Sequence, residues 1–206
     1  MITMKNVIRE GNELLRQESK DVELPLSNED EQTLREMIEY IYESIKPENK
    51  DNPEYRPAVG IAAPQLGILK KMIAIVAPDE NYVEHEFFLV NPKILSYSDE
   101  LTYLEGGEGC LSVDRPCDAY IMRPKRTVFE AYVYNYETRE LKKDKIKLKG
   151  YLSVVFNHEY DHLKGILFVD KQNKEDPYYV PDNATPVKFK NEESQKEQWL
   201  LIVPLF

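Results

Sequence analysis

Positive charge is scarce in this sequence: 27 Lys and Arg against 37 Asp and Glu leave a formal net charge of −10 over 206 residues. Such a chain repels a long polyanion, which argues against DNA or an anionic membrane as the main ligand. Long apolar runs are also missing. The two longest, residues 72–77 and 199–206, fall far short of the roughly 18 residues of a membrane span, so no transmembrane helix is expected. Cysteine is limited to Cys110 and Cys117, too few for a disulfide framework, and the opening Met1-Ile2-Thr3-Met4-Lys5-Asn6 has no apolar signal core. A reducing cytoplasm is the expected compartment. What remains is an ordinary globular balance of 42% hydrophobic and 31% charged residues. A chain of this length buries roughly 70% of its unfolded surface, so residues 1–206 are expected to form a single domain.

The clearest helical period runs through Leu34, Met37, Ile38, Ile41, Tyr42 and Ile45, with Ser27 placed to cap it, Asp30 to complete a capping box and Pro47 to stop it. The polar, proline-bearing residues 46–57 read as a surface loop. Residues 72–76, 87–90 and 127–133 read as strands. Lys145-Ile146-Lys147-Leu148-Lys149 alternates strictly, which predicts a strand with exposed lysines and inward apolar groups. Residues 151–163 contain neither Gly nor Pro and carry Tyr151, Val154, Val155, His158 and His162 at helical spacing. A helix is expected there, ended by Gly165 in a left-handed conformation. Residues 166–169 and the C-terminal residues 199–206 are expected as strands.

The chemistry concentrates in His158-Glu159-Tyr160-Asp161-His162. Helix positions four apart differ by roughly 40° about the axis, so both imidazoles face one side and can share a cation. Glu159 adjoins that face, displaced enough to serve a water as general base. Only three histidines occur; His85, in a charged stretch, reads as an ordinary surface group. A third ligand is found upstream in Glu105-Gly106-Gly107-Glu108-Gly109-Cys110-Leu111-Ser112. Its glycines permit a tight backbone around Cys110, whose thiolate completes a two-nitrogen, one-sulfur site with one position open for water. By itself Cys110 reads equally well as a small buried hydrophobe. Glu105 and Glu108 repel anions, which rules against a phosphate loop. Gln65, closing Ala58-Val59-Gly60-Ile61-Ala62-Ala63-Pro64-Gln65, can donate amide hydrogens to an oxygen gaining charge.

At these three segments the sequence resembles the peptide deformylases. Gly60-Ile61-Ala62-Ala63-Pro64-Gln65 is similar to the first motif of that family, Glu108-Gly109-Cys110-Leu111-Ser112 to the second, and the His158–His162 segment to the third, in the same order. Weaker similarity extends to Arg9-Glu10-Gly11-Asn12 and Asn91-Pro92. One departure is Ala58, where the family typically has glycine; a methyl group there narrows the substrate groove. The long segment before Ala58 and the strand-like C-terminus resemble the Gram-positive-type class.

The resemblance, laid over the elements above, implies an α+β fold. Its antiparallel sheets pack around a central metal-binding helix, with an N-terminal helix and a C-terminal strand. It implies removal of the formyl group from the N-terminal formylmethionine of newly synthesised proteins, with release of formate. Cys110, His158 and His162 are then the ligands of one divalent metal, Fe2+ in preference to Zn2+, Ni2+ or Co2+. Glu159 is the proton carrier, and the Gln65 side chain and Leu111 backbone N–H meet the oxyanion. Gly60, Val59, Val154 and Val155 are expected at the substrate methionine, and Asp161, Glu108 and Arg123 in orienting roles. The implied partners are N-formylmethionyl nascent polypeptides, with transient ribosome contact through the lysine strip at residues 142–149. Two other readings are weighed against this one. A zincin-like endopeptidase takes its third ligand downstream, where the expected position is Phe168 and Glu175 is the formal substitute. A noncatalytic Cys2His2 structural module instead recruits Cys117.

Overall fold

The computed structural model describes residues 1–190; the strand expected at 199–206 lies outside the described residues. Helix α1 spans Asn28–Ser44, and Ser27 caps it by accepting the Asp30 N–H at 3.1 Å. Asp30 does not close a capping box. Its carboxylate instead takes the Ser27 hydroxyl and the Lys70 ammonium. The α1 stripe of Leu34, Met37, Ile38 and Ile41 is fully buried, as its spacing predicts.

A five-stranded antiparallel sheet runs in the order β1-β2-β3-β6-β7. Its members are β1 (Gly60–Ala62), β2 (Met72–Pro78), β3 (Glu84–Tyr97), β6 (Arg126–Tyr134) and β7 (Leu141–Lys149). Alternate β6 side chains reveal what covers each face. Tyr134 donates to Glu31 of α1 at 2.7 Å, whereas Phe129 stacks on Phe156, which belongs to the second long helix, α2 (Gly150–Leu163). The two helices therefore lie on opposite faces. Strand β2, between them, is buried at every position, which is why its sequence is a continuous apolar run rather than an alternation. At the sheet edge, β7 has Leu148 buried and Ile146 half-buried between exposed lysines. Strand β3 extends well beyond the expected residues 87–90, with its register broken between Val90 and Lys93. Asn91 sits in that break at φ +52° and bonds both the N–H and the C=O of Val22, tying the N-terminal segment to the sheet.

The second sheet is small: β4 (Leu101–Tyr103) pairs antiparallel with β5 (Arg123–Pro124) and parallel with β8 (Ala184–Pro186). The expectation of purely antiparallel sheets is thus corrected at one pair. Residues 166–169 form no strand either. Phe168–Lys171 is a 3-10 turn, and Leu167, Phe168 and Val169 bury themselves in a satellite core with Val113, Ala119 and Ile121. Their apolar character serves packing without a ladder partner.

Candidate metal centre and catalytic pocket

Helix α2 is buried along its length except at half-buried Tyr160. Its start carries no capping signal of its own, because the cap is remote: Glu80 accepts the Tyr151 N–H at 3.0 Å. Gly150 adopts φ +54°, and a Cβ there would fall on the Glu80 carboxylate, so glycine is required twice over. The helix ends as expected, with Gly165 at φ +71°.

His158 and His162, one turn apart on α2, meet Cys110 from the loop after β4. One donor atom from each of the three lies within 4.8 Å of the others, and Cys110 Sγ stands 3.3 Å from His162 Nε2. The sulfur also accepts the Ser112 N–H at 3.4 Å and the Gln65 amide at 3.5 Å. Burial pushes the Cys110 thiol up to about 12 and the His162 imidazole well below its usual range. A dication reverses the first of these preferences, because it stabilises thiolate, and one sulfur with two imidazole nitrogens is a donor set that divalent transition metals favour. These residues fit such an ion.

A buried ionic network holds the arrangement. Arg123 grips Glu108 with two bonds of 2.8 Å and also reaches Asp161, while Glu108 accepts from His158 Nδ1 at 2.8 Å. Burial alone would raise the Glu108 carboxyl, yet the Arg123 charge and hydrogen bonds hold it down at about 2. A carboxylate on Nδ1 fixes the tautomer and ring plane of His158. His162 Nδ1, by contrast, is buried without a hydrogen-bond partner among the described residues.

Glu159 lies against β1: a Cβ on Gly60 would sit 2.6 Å from its Oε1. Its Oε2 is buried with no partner among the described residues, and burial, followed by the Glu108 charge, raises its carboxyl well above the usual range. Gln65 accepts the Ala62 N–H at 2.8 Å through Oε1, which turns its NH2 toward Cys110. Gly60, Gln65, Cys110, Leu111, His158 and Glu159 all line one cavity of about 30 Å³, room for about one water. Larger hollows, of about 430 and 540 Å³, hold none of these side chains.

The structure thus brings together every residue expected at the metal, the proton carrier and the oxyanion, and joins Asp161, Glu108 and Arg123 behind them. Ala58 and Gly60 reach the cavity wall, while Val59, Val154 and Val155 are fully buried in the main core and do not line it. Phe168 stacks on the His158 ring at 5.6 Å, Glu175 is exposed in a turn, and Cys117 has Gln172 for its sulfur contact, at 3.9 Å. Among the described residues neither Glu175 nor Cys117 joins the ligand cluster, so both other readings lose their ligand.

Sequence reading missed Arg56, which also lines the cavity; its only signal was its place just before the first motif. It also missed Asn157, whose buried amide bonds Thr127 Oγ1 at 2.8 Å and the Ser153 carbonyl at 2.7 Å, tying α2 to β6. The N-terminal segment proves to be a strap across both motif loops: Ile8 N–H donates to the Gln65 carbonyl at 2.8 Å and Glu10 N–H to the Ser112 carbonyl at 2.7 Å.

Comparison with known proteins supports the same reading. Residues 4–178 match the sequence profile of the family described as Polypeptide deformylase. Peptide deformylase 2 of Bacillus cereus is 47% identical over 91% of this chain and 100% of its own length. The peptide deformylase of Oceanobacillus iheyensis is 45% identical over the same shares. Among solved structures, a probable peptide deformylase from synechococcus phage S-SSM7 has a TM-score of 0.60 at 33% identity, covering 80% of this chain and 97% of that one. The actinonin-bound class I type b peptide deformylase from Acinetobacter baumannii has a TM-score of 0.65 at 26% identity, covering 84% and 100%. With the family profile spanning most of the sequence and Gram-positive relatives at this identity, the chain belongs to the peptide deformylase family, metal-dependent hydrolases that release formate from N-formylmethionyl peptides.

Proposed function

We propose that residues 1–206 act as one catalytic domain in which Cys110, His158 and His162 on the central helix and its neighbouring loop hold a single divalent cation. Ferrous iron is favoured by the family resemblance, and the donor set also suits Zn2+, Ni2+ or Co2+. When bound, the cation acts as a Lewis acid and makes water a far stronger acid, with a pKa near ~7 in favourable sites.

The chain's own residues supply the rest. Glu159, which lines the cavity and has one carboxyl oxygen without a partner among the described residues, takes the proton from the attacking water and returns it to the leaving amine. The Gln65 amide, its oxygen anchored on Ala62, and the Leu111 N–H stabilise the charge that develops on the formyl oxygen. Gly60 keeps the wall thin enough for Glu159 to approach. Val59, Val154 and Val155 lie in the core and do not line the cavity, so their part in holding the substrate methionine is indirect, and Ala58 narrows the entrance. Glu108, Arg123 and Asp161 keep His158 in register. The observation that carries this reading is that Cys110 and His158 of the Cys/His/His cluster, the Glu159 carboxyl and the oriented Gln65 amide all line one water-sized cavity. The test is formate release from formyl-Met peptides by anaerobically prepared protein, with Glu159→Ala as control. A loss of at least about 10²-fold is expected for the control; equal rates in both proteins would refute the assignment.

Nascent polypeptides in the cytoplasm are the natural substrates. Among the described residues no helix is long and apolar enough to cross a membrane. Transient ribosome contact is assigned to Lys142, Lys143, Lys145, Lys147 and Lys149, all exposed on the edge strand β7. Glutamine at Lys145, Lys147 and Lys149 should weaken cosedimentation with ribosomes, and unchanged cosedimentation would remove the assignment.

A further inference from the structure

The cavity has a charged lip. Arg56 lines it, with Nη1 donating to the Cys110 carbonyl at 3.3 Å and Nη2 to Asp114 Oδ1 at 2.6 Å. Arg9 Nε donates to the other oxygen of the same carboxylate at 3.2 Å. Two guanidinium groups therefore share one carboxylate, and neither can give up its proton. One positive charge is left over. The adjacent Arg115 is closed on Glu10 by bonds of 2.9 and 3.0 Å and adds no net charge. The Arg56 side chain is 42% exposed, so its field reaches whatever enters the cavity, while two protein acceptors already fix its position.

We infer that Arg56 is a specificity-determining residue: the unbalanced charge it shares with Arg9 and Asp114 selects peptides with an acidic side chain, over those with lysine or arginine, among the residues that follow the first methionine. This rests on reading the cavity as the entrance for a formylated peptide. An incoming carboxylate gains a charge-assisted donor that is already ordered, whereas an incoming ammonium is repelled. Because the lip is wet, the preference is modest and sensitive to salt. Asp114 opposes it, so removing that carboxylate should sharpen the selection.

The test compares kcat/KM for formyl-Met-Asp-Ala-Ser against formyl-Met-Lys-Ala-Ser, and for formyl-Met-Ala-Asp-Ser against formyl-Met-Ala-Lys-Ser. At low salt the acidic member of at least one pair should be favoured by about fivefold, mainly through KM, with the advantage shrinking at ~0.5 M salt. Arg56→Gln should bring the ratio to near one, Arg56→Lys should keep most of it, and Asp114→Asn should raise it. Equilibrium binding of the same peptides without the formyl group, followed by calorimetry, should show the same ordering with no turnover required. A ratio indifferent to Arg56→Gln and Asp114→Asn, or a uniform loss over all peptides, would overturn the inference. Charge-dependent binding without any formate release would support it and count against the catalytic reading alone.

Discussion

Gly60→Ala isolates the proton carrier without replacing a titratable group. The backbone of β1 accepts alanine at this position, since Gly60 is not among the positive-φ glycines. The conflict is with the neighbour. The new Cβ would lie 2.6 Å from Glu159 Oε1, 2.9 Å from Cγ and 3.0 Å from Cδ, whereas ordinary contact begins at 3.4 Å. The carboxylate must therefore retreat by about 0.8 Å. Misplacing a reacting group by ~1 Å costs about 10²-fold in rate, roughly 2.7 kcal/mol of transition-state stabilisation. The expected result is a kcat reduced about 10²-fold with metal content unchanged, because the three heavy atoms nearest the new methyl group all belong to Glu159. Formate release under anaerobic conditions measures the rate, and mass spectrometry the metal. A double-mutant comparison makes the reasoning refutable. If the methyl group acts through Glu159, adding Gly60→Ala to Glu159→Ala should cost less than about twofold more, since both changes remove the same contribution. A full 10²-fold loss in that background, or a Gly60→Ala enzyme of normal rate, would show that the carboxylate does not work from the seat described.

Cys110→Ala should lose the metal and the activity together, whereas Cys117→Ser should retain both; equal metal content in the two variants would sink the thiolate ligand. Stability should fall with acid in a specific window. Glu108 is held at about 2 against an ordinary 4.5, so its contribution, on the order of 3 kcal/mol, is complete above pH 4.5 and lost as the pH falls toward 2. Urea midpoints at pH 6 and pH 3.5 should show this decline in the parent and a much flatter one in Glu108→Gln, whose own stability should be lower by about 3 kcal/mol because Arg123 keeps its buried charge. Glu80→Ala should lower stability by about 1 kcal/mol through loss of the α2 cap, and an unchanged thermal midpoint would show that the remote cap is not used.

Much of this architecture was legible because it is local. The α1 stripe and its Ser27 cap, the alternation of β7 and the paired imidazoles of α2 each follow from residues within a few positions of one another. The long-range joins were less legible. Arg123 was expected in an orienting role, but its double grip on Glu108 depends on how the β5 segment meets the Cys110 loop. Glu80 capping a helix that starts at Gly150 has no sequence signal. The valines show a different limit: spacing places Val154 and Val155 on the face of α2 that carries His158, but cannot say where that face leaves packed core and meets the cavity. Residues 166–169 misled because a short apolar run suits a satellite core as well as a strand. Arg56 escaped because a single arginine beside a proline carries no pattern.

The strap formed by Ile8 and Glu10 also bears on how a copy of this protein matures. Domains tend to fold from the N-terminus during synthesis, but here Ile8 and Glu10 hold carbonyls at Gln65 and Ser112, and the helix those loops face ends at Leu163. The second of these partners exists only once Ser112 has been made, and the loops meet the helix they face only after Leu163. The strap segment must therefore wait, uncommitted, for partners made later, and a nascent chain that stops short of His162 has no assembled centre with which to bind metal.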